Sequence, residues 1–232
     1  MMSIDMENKS NTKIGGSIAP AVCSIGVILF FALVLIIPES REVFKALSSS
    51  HPYLMGFVKF GLLATCGEVF AFSIKRKAWA FPRYTPVRAL IWGLIGIAIT
   101  FMMKVYSNAV ISMMDSGLLP APENTDGFGW NLLRAFFTAA IMNLTFGPTF
   151  MAFHKCTDTY LALREQGIKK PGLDGVIAAV NWKTLIRFTF FKTIPLFWIP
   201  AHTLTFLLPA EYQVIMAAGL SIALGIMLSL KK

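Results

Sequence analysis

The sequence predicts an all-α polytopic membrane protein, a bundle of about six transmembrane helices with both termini in the cytoplasm. Three observations carry this reading. Of 232 residues, 56% are hydrophobic and 14% charged, with mean hydropathy +0.65; an average soluble domain carries roughly 25% charge, so a soluble fold would lack polar surface. Apolar runs of bilayer length recur at 18–37, 53–74, 87–114, 130–153, 182–208 and 212–230, forming one transmembrane domain over 18–230 behind a polar cytoplasmic segment, 1–17. Lysine and arginine then divide unevenly between the two sides. Lys9, Lys13, Lys75, Arg76, Lys77, Arg83, Arg88, Lys155, Arg164, Lys169, Lys170, Lys231 and Lys232 fall on the side of the termini, against Arg41 and Lys45 on the other. That bias is the positive-inside pattern. It also explains the net charge of +9 without nucleic acid.

Each element follows in order. The first segment holds Asp5 and Glu7 beside Lys9 and Lys13, and acids of this kind argue against a mitochondrial transit peptide. Ile18–Ile37 is too long for a signal-peptide core, and PESREVF after it is no cleavage site, so it reads as an uncleaved first span. Span two follows SSSHP and stops at Lys75-Arg76-Lys77; the turn-rich AWAFPRYTP leads to span three. DSGLLPAPENTDGFG, without Lys or Arg, joins spans three and four on the far side. A basic loop from His154 to Val180 precedes span five, and Pro209-Ala210-Glu211 turns into span six. Small residues in span six (Ala217, Ala218, Gly219, Ser221, Ala223, Gly225) would allow close helix approach, within the subunit or in a homo-oligomer. A bacterial cytoplasmic membrane is the expected location.

The candidate pathway residues are the polar groups inside spans: Lys59, Glu68, Lys104, Arg134, Asn143, Arg187, Lys192 and His202. At about 1.5 Å per residue, Lys59 and Arg134 lie near the outer face, Glu68 in the inner part of span two, Arg187 and Lys192 in the inner half of span five, and His202 in its outer half. Five basic residues against one acid must be solvated, because a charge at the bilayer centre costs at least ~3 kcal/mol. Snorkelling accounts for Lys59, Arg134 and Arg187. For Lys104 and Lys192 a hydrated cavity is the alternative, and a cavity lined by Lys59, Lys104, Arg134 and His202 would favour anions. By depth Glu68 pairs with Arg187, Lys192 or Asn143 rather than Arg134. Candidate helix breaks are Gly147, Pro148, Pro195 and Pro200; prolines free carbonyls that can line a cavity. Cys23, Cys66 and Cys156 form no C-x-x-C, and His202 has no second ligand nearby in sequence, so no metal, cofactor or disulfide is expected. Hydrolase, metalloprotease and phosphate-loop motifs are missing from the sequence, so no enzyme is expected.

Several of these residues carry a family resemblance. His51-Pro52, Gly61 and Gly67-Glu68 come first; Arg134, Gly147-Pro148 and Asp158 follow; Trp198, His202, Thr205-Phe206, Pro209 and the closing PAEYQV…LS complete the series. In order and spacing they resemble the Mpv-seventeen/PMP-twenty-two family of small integral membrane proteins. Glu68 stands for the family's Asp, Phe153-His154 for its Trp-Tyr, and Gln213 for its Arg; spans one and three have no counterpart. The resemblance implies an all-helical membrane protein, with channel or pore activity proposed for some members. A small-solute, anion-favouring channel or permease is therefore one expectation. A non-transporting assembly or lipid-homeostasis factor is the other.

Overall fold

The structure, a computed structural model, describes residues 17–125 and 127–230, with side chains as far as 227. Lys9, Lys13, Lys231 and Lys232 lie outside the described residues. Every regular element among those described is helical: α1 (Ala19–Ile36), α2 (Pro38–Ser50), α3 (Pro52–Arg76), α4 (Thr85–Asp115), α5 (Phe128–Glu165), α6 (Leu173–Ala179), α7 (Trp182–Thr184), a π-helical stretch (Leu185–Trp198), α8 (Ile199–Leu207) and α9 (Ala210–Leu230). Five of them (α1, α3, α4, α5 and α9) are long and apolar enough to cross a membrane. The chain is thus a multi-pass membrane protein by helix length and composition.

Local sequence sets the boundaries. Proline occupies the first turn of α1, α2, α3, α4 and α8, where the missing N–H would have no intrahelical partner anyway. Lys77, in a left-handed conformation at φ 55°, stops α3. The segment between the first two predicted spans is a helix, α2, and it buries Phe44 and Ser48 against the bundle.

Two expectations about span ends and breaks change. The fourth span was expected to break at Gly147-Pro148, yet α5 runs unbroken past both to Glu165. Pro148 removes one N–H and frees the carbonyl of Leu144, whose residue sits on the exposed face; Gly147 ahead of it has no Cβ to crowd the ring. His154 and Asp158, expected to open a basic loop, therefore lie on helix. Span five, by contrast, is not one regular helix. Around Pro195 the backbone widens into the π stretch and returns to α winding at Ile199, with Pro200 in the first turn of α8. Thr193 Oγ1 donates to the Phe188 carbonyl five residues back, at 3.2 Å, which fits the wider winding.

The helices close into a ring. α3 packs on α4 and α9; α4 packs on α5; α5 packs on the π stretch and α8; and α8 packs on α9. α1 and α2 lie outside the ring against α3, and α2 also touches α9. Contact between α3 and α4 is close because Gly56 meets Gly96: a methyl on Gly96 would run into the Gly56 carbonyl oxygen. Gly67 and Gly225 do the same for α3 and α9, where a Cβ on Gly225 would lie 3.1 Å from the Gly67 oxygen. Between these seams, the face of α3 that carries Phe60, Ala64, Gly67, Glu68 and Ala71 borders open space.

Candidate functional site

That space is a cavity of about 320 Å³ in the middle of the ring, and every ring helix contributes to its wall. From α5 come Asn143, Gly147, Phe150, His154 and Asp158, at intervals of four, three, four and four residues, which is one stripe of an α-helix. α3 supplies Phe60, Ala64, Gly67, Glu68 and Ala71 on the same logic; α4 supplies Trp92 and Ile99. Thr189, Thr193, Ile194 and Trp198 enter from the π stretch, His202 from α8, and Ala217, Ser221, Leu224 and Gly225 from α9. Most of the wall is apolar, and polar groups gather at two levels.

At one level Asn143, 5% exposed, faces His202. Its amide sits 2.9–3.2 Å from His202 Nδ1, and Asn143 Nδ2 also donates to the Ala139 carbonyl at 2.8 Å. Trp198 stacks on the His202 ring with centroids 5.2 Å apart. α5 and α8 are thereby pinned across the cavity by one side-chain pair.

The second level is charged. Arg88 Nη1 donates to Glu68 Oε2 at 3.4 Å and to Asp158 Oδ1 at 3.3 Å, while Nη2 lies 3.8 Å from Glu165 Oε1. Trp92 Nε1 donates to Glu68 Oε1 at 3.0 Å, and His154 Nε2 lies 3.5 Å from Asp158 Oδ2. The His154 ring lies against Trp92, with centroids 4.3 Å apart. One guanidinium thus ties α3, α4 and α5 together at one end of the cavity, with its side chain 15% exposed. Donor atoms of Glu68, His154 and Asp158 come within 4.8 Å of one another, a spacing that could hold a metal ion. Arg88 already supplies a positive charge to both carboxylates, so a divalent ion would have to displace it.

Compared with protein-family models, with curated proteins and with solved structures, the chain matches none. The residues of the site therefore have to speak for themselves.

Their placement corrects the depth argument in several places. Glu68 meets Arg88, not Arg187, Lys192 or Asn143; Arg88, counted among the positive-inside charges at the start of span three, lies in the first turns of α4, which begins at Thr85. Lys59 does not snorkel. It is 2% exposed, donates to Ser48 Oγ at 2.8 Å and to the Glu211 carbonyl at 3.4 Å, and holds Nζ 4.3 Å from the centre of the Phe44 ring. Arg134 is half-buried and donates to the Phe206 carbonyl at 3.4 Å, in the last turn of α8, where a helix carries partial negative charge. Lys104, Arg187 and Lys192 are exposed, and none has an ion-pair partner among the described residues. Lys104 follows the buried Met103 and so faces away from the ring. Of the four cations expected to line an anion-favouring cavity, only His202 lines this one.

Residues that sequence reasoning passed over are Arg88, Trp92 and His154. A helical period extended beyond Phe153 would have found His154 and Asp158 on the stripe that begins at Asn143. Arg88 left no comparable signal, because an arginine at a predicted span end looks like any other positive-inside residue.

Proposed function

We propose that the chain is a six-span permease-like protein, with both termini cytoplasmic, whose central cavity binds a small, mostly apolar solute. Helical winding continues from Trp182 through the π stretch to Leu207, which supports a sixth crossing, and the lysine and arginine bias supports the orientation. The observation that carries the functional reading is the cavity itself: about 320 Å³, walled by every helix of the ring and mostly apolar, with Asn143, His202, Glu68 and Asp158 as fixed polar groups on its wall and Arg88 behind the two carboxylates. Sites of this size and make-up are typical of small-molecule binding, and a non-α segment lining a cavity at membrane depth is a recurring feature of transporters. Anion selectivity loses its support, since two carboxylates and one arginine meet at the charged level.

Some of the residues that carry the Mpv-seventeen/PMP-twenty-two resemblance meet at this cavity: Gly67, Glu68, Gly147, Asp158, Trp198 and His202 line it. We take that convergence as support for a distant relationship, and a bacterial cytoplasmic membrane as the setting. The test is flux of graded neutral, cationic and anionic solutes into proteoliposomes. Flux above empty liposomes, lost in Gly147→Phe and kept in Gly147→Ala, supports the reading; a Cβ at Gly147 meets nothing nearer than the Ile194 methyl at 3.5 Å, so alanine fits. Equal flux from protein-containing and empty liposomes for every solute would exclude transport and favour a non-transporting lipid-handling role.

A further inference from the structure

Glu68 and Asp158 line the cavity, and among the described residues no lysine or arginine does. Arg88 lies behind them and is shared. Its Nη1 alone serves both carboxylates, at 3.4 Å and 3.3 Å, while Nη2 leans toward Glu165 at 3.8 Å. Charge-assisted N–H···O bonds usually measure about 2.7–2.9 Å, so neither wall carboxylate is held tightly. With His154 neutral, two carboxylates against one guanidinium leave a negative charge over, on side chains only 19% and 33% exposed. A partly desolvated charge of that kind calls for a counter-cation. Beside the acids runs a row of aromatic rings. Phe60, Trp92, His154, Phe150 and Phe146 follow one another with centroids 6.5, 4.3, 6.2 and 5.9 Å apart, and all five line the cavity. Ring faces attract organic cations through their quadrupole, most strongly where water is excluded. At the Asn143–His202 level a third group lacks a partner. Trp198 is on the wall and 7% exposed, yet its Nε1 has no hydrogen-bond partner among the described residues. A buried N–H of this kind calls for an acceptor.

We propose that the cavity selects a small organic cation: an ammonium head at Glu68 and Asp158, an apolar body along the aromatic row, and a hydrogen-bond acceptor for the Trp198 N–H. This rests on the cavity being the binding site, and it adds the class of solute. A bare metal ion is the poorer occupant. It would compete with Arg88 for the same carboxylate oxygens, and it would leave most of a mostly apolar space of about 320 Å³ unfilled. An ammonium with carbon substituents uses the acids, the rings and the volume together.

The test is equilibrium binding of a matched set of probes to the full chain in phosphatidylcholine nanodiscs at neutral pH, with binding to empty nanodiscs subtracted. The set is phenoxybutyl-trimethylammonium, phenoxybutanol and phenoxybutanoate, which share an ether oxygen and differ in charge. Saturable binding of the ammonium is expected, tighter than either analogue by about tenfold or more, and lost in Gly147→Phe. Glu68→Gln with Asp158→Asn should remove the preference. Saturable binding of the alcohol or the carboxylate at equal or greater affinity would overturn the cation assignment and leave the cavity as a binding site. Ammonium binding that survives Gly147→Phe, or a preference that survives the double neutralisation, would place the cation elsewhere and overturn the assignment as well. Binding of none of the three would remove both the site and its selectivity. Should the neutralised variant fail to fold, Phe150→Leu takes its place, since it deletes one ring and leaves every charge. It should weaken the ammonium by about threefold to tenfold with the alcohol unchanged; an equal loss for both, or no loss, would overturn the assignment.

Discussion

α3 carries a buried charge, Lys59, in one half and a partly buried one, Glu68, in the other, and the two are built on different principles. Lys59 is a lone cation held by dipoles: a serine hydroxyl, a backbone carbonyl and the face of Phe44. It joins α2, α3 and α9, and it does not line the cavity. Glu68 belongs to an ionic network with Arg88 and Asp158, and its two carboxylates line the cavity. Burial alone therefore does not mark a working charge. The Lys59 end is a fastening with every partner internal; the Glu68 end combines opposite charges and a cavity.

The largest effect should come from removing the cation of the network. Arg88→Gln leaves the neighbouring carboxylates of Glu68 and Asp158 without their cation, and because the group is partly exposed the loss should reach about 3 kcal/mol, the low end of the range for a buried pair. Thermal unfolding in nanodiscs should show it, and adding Glu68→Gln to the same chain should restore part of the loss. No recovery in the double variant would mean that Arg88 acts through packing. At Gly96, alanine should cost about 1–3 kcal/mol as an overpacked seam, because the added methyl meets backbone of α3 rather than a flexible side chain; the same thermal measurement decides it. At the other end of α3, Ser48→Ala removes the shortest hydrogen bond to Lys59 and should cost about 1–3 kcal/mol. Lys59→Met fills nearly the same volume without charge and should be close to neutral or stabilising. If Lys59→Met instead lowers solute flux while leaving stability intact, the two ends of α3 are not functionally distinct.

The smallest effect belongs to a pair outside the spans. Lys45 Nζ lies 2.8 Å from Glu42 Oε1 on α2, and this hydrogen bond holds the Glu42 carboxyl below its usual range. A lowered carboxylate stabilises the fold above its unfolded pKa, and that contribution fades as pH falls through the folded value. Both residues are on the surface, where solvent screens the pair, so Lys45→Gln should leave the melting temperature unchanged at neutral pH. A clear drop would show that α2 is held by more than Phe44 and Ser48.

Much of this architecture was legible in the sequence because bilayer length and hydropathy are strong constraints. Helical cores lie within a few residues of the apolar runs at 18–37, 53–74, 87–114 and 212–230. The site was less legible, for reasons that differ by residue. Lys59, Lys104 and Lys192 look alike in composition, yet only helix phase separates a buried staple from two exposed side chains, and counting depth ignores phase. Asp158 was noticed only through a family pattern, because the assumed end of span four hid the stripe running from Asn143. The π winding was not readable: Pro195 and Pro200 mark an irregularity but not its direction. Arg88 required the ring to be assembled first, since its partners lie twenty residues before it and seventy after.

The most direct test of the cavity as the working site is solute flux in Gly147→Phe compared with Lys104→Gln in the same liposomes. The bulky side chain at Gly147 should abolish activity with little change in melting temperature, and the exposed Lys104 should be replaceable without loss. Activity that survives Gly147→Phe and disappears with Lys104→Gln would place function on the outer face of the helices and contradict the account.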